Sequence, residues 1–115
     1  MKIKVFTVCS GYDSQYIDAE RIKLIEKAVE QATGMDMGAI MRPTHKWKEV
    51  TAKRVLFYLL DKAGMRYPDI AKHYKVNRAT VWAGIRKANE TLEFDKELII
   101  LVNKASGFIR QSSIV

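Results

Sequence analysis

Apolar residues recur every three or four positions along most of the chain, a spacing that predicts amphipathic helices. Glycine or proline follows several of these segments and marks helix ends, since neither residue continues a helix well. The predicted helices are residues 14 or 18 to 33, a short turn within 35–41, 48–63, a helix opened by Pro68, 78 to about 92, and 95 to between 105 and 108. The predicted fold class is mostly α, a helix-turn-helix bundle of about five helices.

Residues 2–9 (KIKVFTVC) follow a different pattern, because apolar and polar positions alternate and several side chains are β-branched or aromatic. This pattern predicts a short N-terminal strand. A strand needs a partner, and the candidates are residues 108–115 or a second copy of the chain. The predicted organisation is an N-terminal strand and loop (1–16), a helical domain (17–110) and a tail (111–115).

The stretch YPDIAKHYKVNRATVWAGIRKA, residues 67–88, predicts two short helices joined by a tight turn. Ala71 is small enough to let the second helix cross the first closely. Val81 and Ile85 are among the apolar residues expected to fix the crossing. Residues 75–77 form the turn, with a lysine where glycine is common, and Asn77 is a good N-cap. These features favour a helix-turn-helix motif.

The exposed positions of the second predicted helix follow from its buried ones. Arg78, Trp82 and Arg86 are spaced by four residues, so they share an outer face. In a DNA-bound helix-turn-helix, residues at the start of this helix contact base edges in the major groove. The candidate contacts are Arg78 with guanine, Asn77 with adenine, Ala79 or the Thr80 methyl with a thymine methyl, and Arg86 and Lys87 with phosphates, while Ala83 lies beside them on the same face.

Two alternatives stay open for this stretch. The two helices are also compatible with a helical hairpin that carries a solvated basic face. Trp82 is compatible with stacking on sugar and phosphate, and equally with folding back onto its own helix.

Charge is distributed unevenly along the chain, which has a net charge of +7. Residues 42–87 contain twelve Lys/Arg and three Asp/Glu, a balance of +9, whereas residues 1–41 and 88–115 each have a balance of −1. A positive field concentrated in one segment attracts a polyanion. The basic residues therefore favour a nucleic-acid partner over a charge that serves solubility alone.

Composition argues against several other classes. The single cysteine, Cys9, excludes an intrachain disulfide, and the two histidines lack metal-ligand spacing with it. Neither a signal peptide nor a membrane span is recognisable. We therefore expect a cytoplasmic protein that is not an enzyme, needs no cofactor or metal, and has no membrane or small-molecule ligand.

Residues 25–98 resemble the C-terminal, duplex-binding domain of the bacterial chromosomal replication initiator DnaA, a domain with a Trp-repressor-like helix-turn-helix. The resemblance is carried by IEKAVEQATG, MDMGAIM, the basic loop RPTHKWK, KRVLFYLL, YPDIAKHY and NRATVWAGIRKANETLEFDKEL. It covers about two thirds of the chain. In that family a signature Asp-His-Thr-Thr-Val enters the major groove, and an arginine of the basic loop reaches the minor groove.

The resemblance implies a set of DNA contacts for this chain. Asn77, Arg78 and Ala79 stand where the family has Asp, His and Thr, whereas Thr80 and Val81 match the signature. The other implied contacts are His45, at the minor-groove arginine, with Lys46 and Lys48 beside it, then Lys53 and Pro68, and Arg66 is a further candidate contact. The Gly-x-x-x-x-Gly-Lys-Ser/Thr phosphate loop is absent, so the resemblance implies a stand-alone replication or transcription-regulatory domain without ATPase activity.

Residues 5–15 (VFTVCSGYDSQ) are similar to the cofactor-binding strand and loop that opens DNA cytosine methyltransferases. The catalytic Pro-Cys pair and the Glu-Asn-Val motif of that family are absent, and one strand does not build the parallel sheet of such an enzyme.

Other functions left open are a basic protein-interaction module and a binder of RNA or single strands, which Trp47 and Trp82 favour. The residues leave both a monomer and a homodimer open.

Overall fold

The computed structural model of the protein describes residues 19–42 and 46–114, with side chains up to residue 111. These residues form six α-helices and no strand. The helices are α1 (Ala19–Thr33), α2 (Met37–Ile40), α3 (Trp47–Lys62), α4 (Tyr67–Tyr74), α5 (Arg78–Thr91) and α6 (Lys96–Ile114). The prediction of a mostly α protein is confirmed. The predicted strand at residues 2–9 lies outside the described residues.

Helix α3 is the centre of the bundle, since it packs against each of the other five helices. Its predicted apolar positions Ala52, Val55 and Leu56 are fully buried. The prediction missed Phe57 and Leu60, which are also buried. A helix surrounded by neighbours buries more than one stripe, so the pattern of an amphipathic surface helix describes α3 incompletely.

Two predicted boundaries are wrong. The basic loop was expected to span residues 42–48, but α3 already begins at Trp47. Helix α6 was expected to end between residues 105 and 108, but it continues to Ile114. Residues 108–114 are therefore helical and offer no strand partner for residues 2–9. The predicted boundary of the tail at residue 110 does not coincide with a helix end.

The length of α6 has a packing explanation. Ser106 and Gly107 within it are weak helix formers. Ala105 is fully buried, and Phe108 and Ile109 are partly buried against the core, where α6 lies along α1. Burial of these side chains outweighs the unfavourable propensity of two positions.

A hydrogen bond joins α4 to α1 across the bundle. The Tyr74 hydroxyl donates to Glu26 Oε2 at 2.6 Å, and the Tyr74 ring lies 6.3 Å from that of Phe57 on α3. Burial and, secondly, the hydrogen bond and charge of Glu26 raise the pKa of Tyr74 above its ordinary value. Tyr74 thus fixes α4, the helix on which α5 rests, to two other helices.

Candidate nucleic-acid interface

The turn between α4 and α5 is built by three residues. Lys75 adopts left-handed backbone angles (φ 56°, ψ 44°), and the Val76 N–H donates to the Ala71 carbonyl at 3.0 Å. This bond, from the residue after the left-handed position to the last turn of the helix, is the pattern of a Schellman motif. Glycine normally occupies the left-handed position, so Lys75 carries backbone strain there. The predicted three-residue turn is confirmed.

Asn77 begins α5 as its N-cap, as predicted. Its Oδ1 accepts a hydrogen bond from the Ala79 N–H at 2.7 Å. A bidentate contact with adenine needs the same oxygen together with the amide nitrogen. The cap therefore competes with the adenine contact predicted for Asn77, and the geometry favours Asn77 as the residue that orients α5.

The outer face of α5 is exposed over its whole length. Val81, Ile85 and Ala88 are buried against α3 and α4, which turns the opposite face outward. With 3.6 residues per turn, Ala79, Ala83 and Glu90 lie farthest from the core, and all three are exposed. The predicted contacts Arg78, Thr80, Trp82, Arg86 and Lys87 are exposed on either side of these alanines. Small residues flanked by long polar ones allow a ligand to approach the helix backbone.

Trp82 and Arg86 interact with each other on one side of this face. Trp82 is 46% exposed, and the Arg86 guanidinium carbon lies 5.1 Å from its ring centroid. Trp82 also lines a groove with Asp61, Tyr67 and Glu90. The tryptophan ring is thus partly covered by its own molecule and partly open to solvent. Both interpretations of Trp82 are compatible with this position.

A basic groove lies between α3 and the other side of α5. Its walls carry three cationic side chains, Lys53, Arg54 and Lys87, and its open volume is about 560 Å³. The other lining residues are neutral and comprise Val50, Phe57, Thr80, Ala83 and Gly84. Cations from two helices converge here without an opposing carboxylate among the lining residues. We call this feature the α3–α5 groove.

The predictions found part of the α3–α5 groove and missed the rest. Lys53, Thr80, Ala83 and Lys87 are among the predicted DNA contacts, whereas Arg54 is not. The signal that would have found it is the spacing of Val50, Arg54 and Phe57, which places all three on one side of α3. Lys53 also donates from Nζ to the Arg42 carbonyl at 3.1 Å, which ties the start of the basic loop to α3.

Other predicted contacts are not gathered at this groove. Lys48 lines a separate pocket with Thr33 and Glu97. Lys48 lies five residues before Lys53, so the two lysines project from different sides of α3. Lys46 is the exposed residue before α3, and Arg66 and Pro68 lie at the start of α4. His45 lies outside the described residues.

The described residues were compared with the patterns of metal sites and membrane-spanning helices. No group of three or more His, Cys, Asp or Glu side chains within the described ranges has the arrangement of a metal site. Of the helices in those ranges, none has both the length and the apolar character needed to cross a membrane.

Comparisons with protein-family models, curated proteins and solved structures found no match to the chain.

Proposed function

We propose that the protein binds double-stranded DNA in a sequence-dependent manner, as a stand-alone domain of the replication-initiator or transcription-regulator type without ATPase activity. In this proposal α5 enters the major groove, and the α3–α5 groove receives the neighbouring sugar-phosphate backbone. The observation that carries it is the position of three cations, Lys53, Arg54 and Lys87, directly beside an exposed helix face. A contact surface of this kind combines backbone attraction with access to base edges.

The size of α5 supports this mode of binding. A major groove about 12 Å wide admits one α-helix, provided that the outward side chains near the bases are small. Ala79 and Ala83 meet that condition, and Arg78 next to them carries the donors that pair with guanine. Phosphates that flank the groove would then meet the Thr80 hydroxyl and the Lys87 ammonium.

The proposed function is one of binding rather than catalysis. Trp47 and Trp82, which are 56% and 46% exposed, favour a second candidate, the binding of single strands or RNA by stacking. A basic protein-interaction surface is the third candidate.

A competition experiment separates these candidates. A labelled duplex bound to the protein is challenged with unlabelled duplex, single strand and RNA of the same sequence, at low salt. The proposal predicts that the duplex competes best and that a selection from random duplexes yields a preferred site. Stronger competition by single strand or RNA would favour the second candidate, and no binding to any nucleic acid would favour the third.

A further inference from the structure

Arg86 is held by two neighbours on the outer face of α5. Its Nε donates to Glu90 Oε2 at 2.9 Å, while its guanidinium lies against the Trp82 ring at 5.1 Å. The side chains of Arg86 and Glu90 are 61% and 53% exposed. The positive charge of Arg86 is therefore already paired with a carboxylate.

Glu90 contributes little to the stability of its own helix. It is the only acidic residue of α5, and it lies next to the C-terminus, where the helix dipole disfavours negative charge. The order Arg86 then Glu90 is also the less favourable orientation for a pair spaced by four residues. An exposed pair of this kind is weak and is screened by salt. Helix stability does not explain a carboxylate at this position.

The position of Glu90 on α5 relative to Ala79 and Ala83 suggests a role in DNA binding. Glu90 is seven residues after Ala83, which places the two side chains within about 20° on the helix surface. A duplex seated on Ala79 and Ala83 would bring its phosphates toward Arg86 and Glu90 together.

We propose that Glu90 competes with DNA phosphate for Arg86 and thereby weakens binding to duplexes of unrelated sequence. This inference rests on the proposed function. While Arg86 is paired with Glu90 it releases no counterion from DNA, so the electrostatic attraction that serves all sequences is reduced. At a preferred site, base contacts near Arg78 add binding free energy that does not depend on a phosphate contact by Arg86. These contacts compensate for the reduced electrostatic attraction. Glu90 thus acts as a specificity-determining residue.

The test compares Glu90→Gln with a matched control, Glu20→Gln. Glu20 is an exposed residue in the first turn of α1, so both variants change the net charge equally. Binding to a mixed-sequence duplex is measured by fluorescence anisotropy over a range of salt concentrations. We expect Glu90→Gln to bind about two- to fivefold more tightly at low salt, in line with the strength of an exposed ion pair. Its log–log salt slope should be steeper by about 0.9, the equivalent of one further phosphate.

The control and a double variant define the outcomes. Glu20→Gln should leave the slope unchanged, and in an Arg86→Ala background Glu90→Gln should no longer steepen it. In a Trp47→Phe chain, Trp82 is the sole tryptophan, and its fluorescence should change when phosphate draws Arg86 away. If the wild type binds duplex but Glu90→Gln and Glu20→Gln have equal slopes, the inference is wrong and the proposed function stands. If the wild type binds no duplex, the proposed function fails and the inference fails with it.

Discussion

Gly84 on α5 packs directly against the ring of Phe57 on α3. A β-carbon at Gly84 would lie 3.3 Å from Phe57 Cδ2, a tighter approach than such atoms usually make. Phe57 is only 2% exposed, and its ring lies close to that of Tyr74, so it has little room to retreat. The glycine therefore sets how closely α5 crosses α3, and with it the width of the α3–α5 groove.

A larger residue at position 84 should separate the two helices. Gly84→Val should lower the free energy of unfolding by about 1–3 kcal/mol, the usual cost of overpacking. Urea unfolding measures the change as a shift of the midpoint at constant m-value. Ala83→Val is the matched control, because the same side chain is added to the exposed neighbouring position. Equal midpoints for the two variants would contradict the packing argument.

Tyr74 should make stability depend on pH in the alkaline range. Burial and Glu26 raise the pKa of Tyr74 in the folded state. As the pH rises, the unfolded chain therefore loses the Tyr74 proton at a lower pH than the folded chain does. The stabilisation is present in full below pH of about 10, the ordinary tyrosine value, and is lost progressively as pH rises above it. Tyr74→Phe should flatten this decline and, at neutral pH, should cost about 1–2 kcal/mol for the lost hydrogen bond. Tyr67→Phe, at an exposed position of the same helix, should leave the decline unchanged.

Lys75 offers a stabilising substitution. Its left-handed backbone suits glycine, so Lys75→Gly should raise the free energy of unfolding by up to about 1 kcal/mol, after the entropic cost of glycine is subtracted. Lys75→Ala removes the same charge and keeps the strain, which makes it the control in a thermal unfolding series. A gain for the alanine variant equal to that for glycine would assign the effect to charge instead.

The cations of the α3–α5 groove should act on all duplex sequences alike. Arg54→Ala and Lys87→Ala should each weaken binding and reduce the log–log salt slope by about 0.9, since each removes one phosphate contact. Lys48→Ala is the comparison, because Lys48, a contact implied by the resemblance, lies in a different pocket of the same helix as Arg54. Anisotropy titrations at several salt concentrations measure both quantities. A larger effect of Lys48 than of Arg54 would place the DNA on another side of α3.

The sequence was sufficient to predict those features of the helices that depend on local chemistry, such as caps and helix-breaking residues. The end of α1 at Thr33, the proline in the first turn of α4 and the Asn77 cap of α5 were all predicted, since each depends on local chemistry. The end of α6 was not, because it depends on contacts of Phe108 and Ile109 with residues distant in sequence. Burial of Phe57 is likewise a consequence of the central position of α3.

The same distinction applies to the candidate interface. The exposed face of α5 was predictable from the spacing of its apolar residues, because the side of a helix opposite the buried stripe faces solvent. The α3–α5 groove did not follow, because it depends on how closely α5 crosses α3 at Gly84. The pairing of Arg86 with Glu90 is visible in the sequence as a spacing of four, but its relation to Trp82 requires the structure.

The contact of α5 with base pairs is examined by comparing Arg78→Ala with the wild type on two duplexes, a selected site and a shuffled version of it. The dissociation constants are measured at one salt concentration, with Lys62→Ala as a charge-matched control outside α5. We expect Arg78→Ala to lose about 1–3 kcal/mol on the selected site and to bind the shuffled duplex nearly as well as the wild type, so that discrimination falls. Equal weakening on both duplexes would contradict a base contact by Arg78 and leave it as a phosphate contact alone.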